Sequence, residues 1–338
     1  MSACRFRLFS FAAVVCCIAG PAVAAEPESI QETNRRLGRG INFGNALEAP
    51  NEGEWGFRIE EGYFDEVKKA GFDTVRLPVK WSAHAEEKPP YRIDAGFAER
   101  VDWAVGHALE RGLNVVLNVH HYDEFYADPD GHEERFLALW KQIASRYADR
   151  TEGLVFELLN EPRDPMTAER WNEIFPKALA VVRETNPHRA VIVGPANWNN
   201  IDALSKLRLP EDDRLMVTVH YYSPFEFTHQ GASWAEGSDK WLGRTWGSDE
   251  DKAAVRRDLE KAAAWGKEHG KPIFLGEFGA YSRADMDSRV RWTEFVRSEA
   301  ERLGMSWAYW EFGSGFGAYD PQTDKWREPL KEALLGSR

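Results

Sequence analysis

Val101-Asp102-Trp103-Ala104-Val105-Gly106-His107-Ala108-Leu109-Glu110-Arg111-Gly112-Leu113-Asn114-Val115-Val116-Leu117-Asn118-Val119-His120 sets two periodicities back to back. Up to Arg111 the apolar residues recur every three or four positions, the stripe of an amphipathic helix. Gly112 interrupts the stripe, and glycine is the residue most at ease in the left-handed turn that ends helices. From Val115 the apolar residues run on without alternation, as in a parallel strand covered on both faces. The strand ends on His120-His121-Tyr122, groups that are expensive to bury without purpose.

The same unit recurs in both directions along the chain. Strand runs are expected at 40–44, 74–78, 115–120, 155–159, 191–194, 216–220, 273–276 and 306–310. Helical spacing is expected over 64–70, 97–111, 133–147, 168–184, 252–269 and 287–303, with shorter helices at 201–207 and 330–335. Ala70-Gly71-Phe72 and His269-Gly270-Lys271-Pro272 repeat the glycine stop. No Ser/Gly- or Pro-rich linker and no fixed-period repeat divides the chain. Eight strands alternating with about eight helices predict an α/β chain folded as one (β/α)8 TIM barrel over 38–338. A doubly wound open sheet is the competing arrangement, and no G-x-G-x-x-G follows the first strand to support it.

The segment 1–24 reads as a signal peptide. Arg5 and Arg7 precede an apolar stretch over 8–18, and Ala22-Val23-Ala24 supplies small residues for cleavage. That stretch is too short for a membrane span. Residues 25–37 form a short leader to the barrel. Cys4, Cys16 and Cys17 all fall inside the removable segment, so the mature chain would carry no thiol chemistry and no disulfide. Export to the periplasm or medium is expected, with no membrane association after cleavage. A net charge of −12 argues against nucleic acid, which demands clustered Lys and Arg. Fourteen tryptophans favour carbohydrate, because indoles stack on sugar faces as well as filling cores.

In a TIM barrel the reactive groups lie at the C-terminal ends of the strands. Asn42 and Asn45 follow the first run, and Arg76 lies on the second. His120 and His121 end the third, Asn160 and Glu161 the fourth, and Asn197-Trp198 the fifth. His220, Tyr221 and Tyr222 end the sixth, Glu277 the seventh, and Trp310-Glu311 the eighth. Two glutamates on opposite sides of one mouth suit glycoside hydrolysis, and about 5 Å between their carboxyls would make it retaining. Arg76 and Tyr222 suit holding one carboxylate ionised. Adjacent His120-His121 raises a metal site as a rival, but consecutive residues of a regular strand point to opposite faces. No metal and no cofactor is expected. No G-x-S-x-G elbow and no phosphate loop is visible.

Leu158-Leu159-Asn160-Glu161-Pro162 and Leu275-Gly276-Glu277-Phe278-Gly279 together resemble glycoside hydrolase family 5, the cellulase-type family of clan A. Val75-Arg76-Leu77-Pro78-Val79, Asn118-Val119-His120-His121, His220-Tyr221-Tyr222 and Trp310 match further motifs of that family. The resemblance implies Glu161 as acid/base and Glu277 as nucleophile, with Arg76 and Tyr222 positioning Glu277. It implies Asn160 on the sugar 2-hydroxyl, His120 and His220 in the surrounding hydrogen-bonded shell, and Trp310 beneath the sugar. A cis peptide between Trp310 and Glu311 is expected on the same ground. The segment 221–246 resembles a branch in which endo-β-1,4-glucanase and β-mannanase activities occur together. Phe225, His229, Gln230 and Trp234 would then line the cleft, with Asn45, Glu48, His121, Trp198 and Glu311 as further sugar contacts. A monomer acting on β-linked polysaccharide is expected, with β-mannanase, xyloglucanase or a metal-dependent hydrolase as alternatives.

Overall fold

In the computed structural model, which describes Met1 and residues 28–336, eight parallel strands follow one another around a closed ring. They are β1 Arg39–Asn42, β2 Thr74–Leu77, β3 Asn114–Asn118, β4 Leu154–Glu157, β5 Val191–Val193, β6 Leu215–Tyr221, β7 Ile273–Phe278 and β8 Ser306–Tyr309. Pairing of β1 with β8 seals the ring. Apart from Met1, the expected signal segment 1–24 and the first residues of the leader lie outside the described residues. All eight expected strands are present, most shifted by a residue or two at an end.

Helices surround the ring, with α1 Ile30–Leu37 beneath it and, in chain order, α2 Glu61–Ala70, α3 Ala95–Glu110, α4 Asp123–Ala127, α5 Pro129–Arg146, α6 Ala168–Thr185, α7 Phe225–Thr228, α8 Asp249–Glu268, α9 Met286–Arg302 and α10 Glu328–Leu335. Their starts are capped as their sequences dictate. Asp94, Thr167 and Asp285 each accept a backbone N–H of the first turn, and Ser248 forms a capping box with Asp251. The crossover after β5 departs from the pattern, because 201–206 forms a 3-10 turn rather than an α-helix. The short hairpin β9 Tyr319–Asp320 and β10 Lys325–Trp326 carried no recognisable signal in the sequence. No described helix is long and apolar enough to cross a membrane.

Two cores result. The larger lies between strands and helices. The smaller fills the ring itself with Val116, Val155, Ile192, Met216, Phe274 and Ala308, closed from below by Ile30 and Leu37 of α1. The leader is therefore the barrel's floor over its helical part. The end of α10 returns to the same side, where Arg39 donates to the Leu335 carbonyl at 2.8 Å.

The opposite rim is stapled by buried tryptophans. Trp81 donates its indole N–H to Asn118 O, Trp140 to Leu158 O, Trp171 to Gly194 O and Trp292 to Ser223 O, all at 2.9–3.0 Å. Each accepting carbonyl lies at or just beyond a strand's C-terminal end. An indole buried on this scale needs such a partner, and here the partner is the backbone that carries the polar strand-end residues. Register places one more of them. The β6–β7 pairing slips between Val219 and His220, so that His220 faces Glu277. Gly276 permits the slip, since a Cβ there would lie 2.6 Å from Thr218 Oγ1 and 3.0 Å from His220 Nε2.

Candidate active site

Arg76 is fully buried beneath the mouth of the barrel. Its five N–H groups meet five acceptors. Nε and Nη2 donate to Glu157 Oε2 and Oε1 at 2.6 and 2.7 Å, and Nη2 also donates to Asn160 Oδ1 at 2.8 Å. Nη1 donates to Asn42 Oδ1 and to Glu277 Oε1, both at 2.8 Å. A buried guanidinium is tolerable only when paired and hydrogen-bonded throughout. Against the push of burial, Glu157 and then Glu277 keep it firmly protonated.

Glu277 also accepts the Tyr222 hydroxyl on Oε2 at 2.9 Å. Burial pushes the Tyr222 phenol well above its ordinary value, and Glu277's charge adds to this, so the hydroxyl keeps its proton to donate. Glu161 sits just past β4 with left-handed backbone, φ 46°. Its Oε1 lies 2.8 Å from His220 Nδ1, and the same nitrogen is 3.6 Å from Glu277 Oε2. One oxygen of each carboxylate and a ring nitrogen of His220 all lie within 4.8 Å of one another.

These three groups titrate together. Burial raises Glu277, with His220 and Arg76 opposing and Glu161 adding to the rise. Burial acts the same way on Glu161, but the hydrogen bond and charge of His220 bring it below the usual carboxylate range. His220 is raised, because Glu277 and Glu161 outweigh its burial. Charge alone thus lets the imidazole compete with Glu161 for one proton.

The other expected residues fall into two groups. Trp310 lies at the mouth, its ring 6.0 Å from that of His120 and nearly parallel to it at 12°. Gly44 leaves it room, since a Cβ there would lie 2.7 Å from the indole. The Trp310–Glu311 peptide is cis, as expected. His120 bonds to Asn118, and its burial, reinforced by the charges of His121 and Arg76, keeps it neutral. His121 stands edge-on to it at 87°. Trp198 and Trp234 are half or more exposed at the rim, and Phe225 stacks on His229 at 4.0 Å. Asn45 is half-buried beside Glu48.

Three expected sugar contacts are corrected. Glu48 and Glu311 are 0% exposed, so neither presents an oxygen to the cleft. Glu48 accepts the N–H groups of Asn45 and Ala46, and Glu311 accepts those of Gly313, Ser314 and Phe316. Each carboxylate is bent back into its own loop, shaping the rim from beneath. Gln230 does the same, donating to Phe227 O and Arg244 O while accepting Gly243 N–H.

Sequence reasoning also missed residues. Glu157, Asn199, Arg163 and Trp55 carry no role in the sequence reading. Trp55 is 41% exposed and 5.6 Å from His121 at the mouth. Arg163 lies between the rings of Tyr126 and Trp198, 4.0 and 4.5 Å from their centroids, and Nη2 donates to Asp123 Oδ1. The charge of Glu157 within a buried strand was the one signal that could have exposed it.

A family model described as Cellulase (glycosyl hydrolase family 5) matches residues 39–315, which span all eight strands and both glutamates. The chain belongs to glycosyl hydrolase family 5. Among similar proteins, Endoglucanase H of Acetivibrio thermocellus is 38% identical over 299 residues, covering 88% of this chain and 32% of that protein. The chain thus spans about a third of that relative's length. Endoglucanase B of Clostridium cellulovorans is 30% identical, over 84% of this chain and 68% of its own. The crystal structure of endoglucanase Cel5A from Thermotoga maritima superposes with a TM-score of 0.90 at 53% identity, covering 91% of this chain and all of that one. Cel5A has been solved with cellobiose and with mannotriose.

Proposed function

We propose that this family 5 chain is a retaining endo-β-1,4-glucanase that works by double displacement, with Glu277 as nucleophile and Glu161 as acid/base. The observation that carries the reading is the pair of carboxylates, close enough for the retaining class yet held by different partners. Glu277 is held by Arg76 and Tyr222, donors that keep their protons at working pH. Glu161 is held by His220, a donor that titrates. A nucleophile needs a permanently stabilised charge, and an acid/base needs a partner through which its proton can come and go.

In the first step Glu277 attacks the anomeric carbon while Glu161 protonates the departing glycosidic oxygen. In the second, Glu161 takes a proton from water, which attacks the anomeric carbon from the side the leaving group vacated and expels Glu277 as a carboxylate. Asn160, fixed through Oδ1 by Arg76, has its amide N–H free for the neighbouring hydroxyl. Trp310 offers a flat face to the ring, and Trp55, Trp198 and Trp234 offer further faces along the rim, as an internally cut polymer requires. Binding of mannotriose by Cel5A supports activity on glucomannan as well. The 1–24 pattern supports export.

The anomer first released from a β-linked cello-oligosaccharide tests the mechanism, followed by proton NMR. A β product is expected, and an α product would sink the double displacement. Glu277→Ala should abolish turnover and regain part of it with azide, releasing an α-glycosyl azide. Activity lost to a chelator and restored by a divalent ion would replace the two-glutamate account with a metal-dependent one.

A further inference from the structure

Three consecutive residues after β5 take left-handed backbone, with φ of 64° at Asn197, 63° at Trp198 and 53° at Asn199. Asparagine enters that region more readily than most residues, tryptophan does not. The excursion sends the last two side chains in opposite directions. Trp198 turns out to the rim, whereas Asn199 turns inward and is fully buried. Its carbonyl accepts the backbone N–H of His220 at 3.0 Å, and Gly194 leaves the space its amide fills. There Asn199 Nδ2 lies 3.3 Å from His220 Nε2, while its Oδ1 is buried without a partner. The other ring nitrogen of His220 is the one bonded to Glu161.

We propose that Asn199 is a positioning residue that keeps His220 Nε2 free of hydrogen and thereby leaves the shared proton on Glu161. The inference rests on Glu161 being the general acid. Three arrangements of His220 and Glu161 hold the same number of protons. The imidazole can be doubly protonated beside an ionised Glu161. It can be neutral with its hydrogen on Nε2, so that Nδ1 accepts the carboxyl proton. Or it can be neutral with its hydrogen on Nδ1, donating to Glu161 Oε1, while the carboxyl proton sits on Oε2.

In the first two arrangements an N–H on Nε2 points at the Asn199 amide N–H, donor against donor. In the third the amide donates to an open lone pair, and the acid proton is turned away from His220 and free for the leaving group. The groups facing the imidazole are Glu161 after β4, Glu277 on β7, Arg76 on β2 and His120 after β3. The two carboxylates favour the imidazolium, burial and Arg76 oppose it, and His120 is neutral. The carboxylates prevail in charge, so the amide is the contact that returns the proton to Glu161. Because the three arrangements share one proton count, the effect is independent of pH.

The test uses the full chain with nitrogen-15-labelled histidine, comparing wild type, Asn199→Gly, Asn199→Asp and Glu161→Gln. Wild type should show His220 Nε2 unprotonated and Nδ1 protonated at neutral pH. Asn199→Gly suits the left-handed backbone, so its melting temperature should hold. Its kcat/KM on cellotetraose should fall about tenfold, a part of what a general acid supplies, across the whole pH plateau. On dinitrophenyl cellobioside, whose leaving group needs no proton, it should be unchanged. Asn199→Asp accepts from Nε2–H and should widen the same split. A protonated Nε2 in wild type, or equal losses on both substrates, would overturn the inference, and the wild-type spectrum decides even if a variant misfolds. Glu161→Gln should show the largest split. If it shows none, the general-acid assignment falls and takes this inference with it; if it alone shows one, only the role of Asn199 falls.

Discussion

Arg76 makes bidentate bonds with Glu157 and single bonds with Asn42, Asn160 and Glu277, so no donor is spare. Two carboxylates therefore share one guanidinium, and Glu157 decides how much of its charge reaches Glu277. Glu157→Gln should tighten Arg76 on Glu277 and leave an amide N–H facing a guanidinium N–H. Breaking a buried pair in this way costs about 3–5 kcal/mol, which denaturant unfolding would measure. Lost activity with unchanged stability would show that the pair is not structural. Arg76 was legible in the sequence because it stood beside two mouth carboxylates. Glu157 was legible only as a charge within a buried strand, since the partner that explains it lies 81 residues away. The inward turn of Asn199 was hidden, because it depends on three successive left-handed residues that no local pattern announces.

At the scale of elements, the loops after β3, β4 and β5 are joined by one sandwich, Tyr126 under Arg163 under Trp198. Arg163 gives the exposed indole a fixed backing, worth about 0.5–2 kcal/mol for a cation over a ring. Its positive charge also lowers Glu161. Arg163→Ala should raise KM for polymer severalfold and move the alkaline limb of kcat/KM to higher pH, because the acid then keeps its proton longer. An unmoved KM would mean that Trp198 stands without its backing. Strands and long helices were legible because buried parallel strands and amphipathic helices impose their periods on the sequence. The 3-10 turn at 201–206, the β9–β10 hairpin and the inward carboxylates of Glu48 and Glu311 were not. Short elements carry too few residues for a period, and the direction of a loop side chain is set by tertiary contacts.

For the whole molecule, buried titratable groups set the response to pH. Burial pushes Glu48 up to about 8 and Glu311 up to about 7, from 4.5. The folded state then binds more protons than the unfolded one, so this contribution is full below 4.5 and is lost as pH rises through 7 to 8. Burial lowers His121 and His229 to about 4 from 6.5, so their contribution is lost as pH falls from 6.5 towards 4. The two trends oppose each other between 4.5 and 6.5; above 6.5 the contribution of His121 and His229 no longer changes, while the carboxylates and the raised His220 lose stability together. Unfolding free energy should therefore decline from pH 6.5 to 8, and the double variant Glu48→Gln, Glu311→Gln should flatten that decline. A decline equally steep in the double variant would place its origin elsewhere. The floor of the barrel carries a separate consequence. Ile30 and Leu37 plug the ring from below, and Leu335 meets Arg39 on that same side, so residues 30 and 335 both lie opposite the mouth. A barrel anchored to a bead or fibre through a linker attached next to residue 30 or 335 would face its mouth outward, and two such units joined there would not block one another.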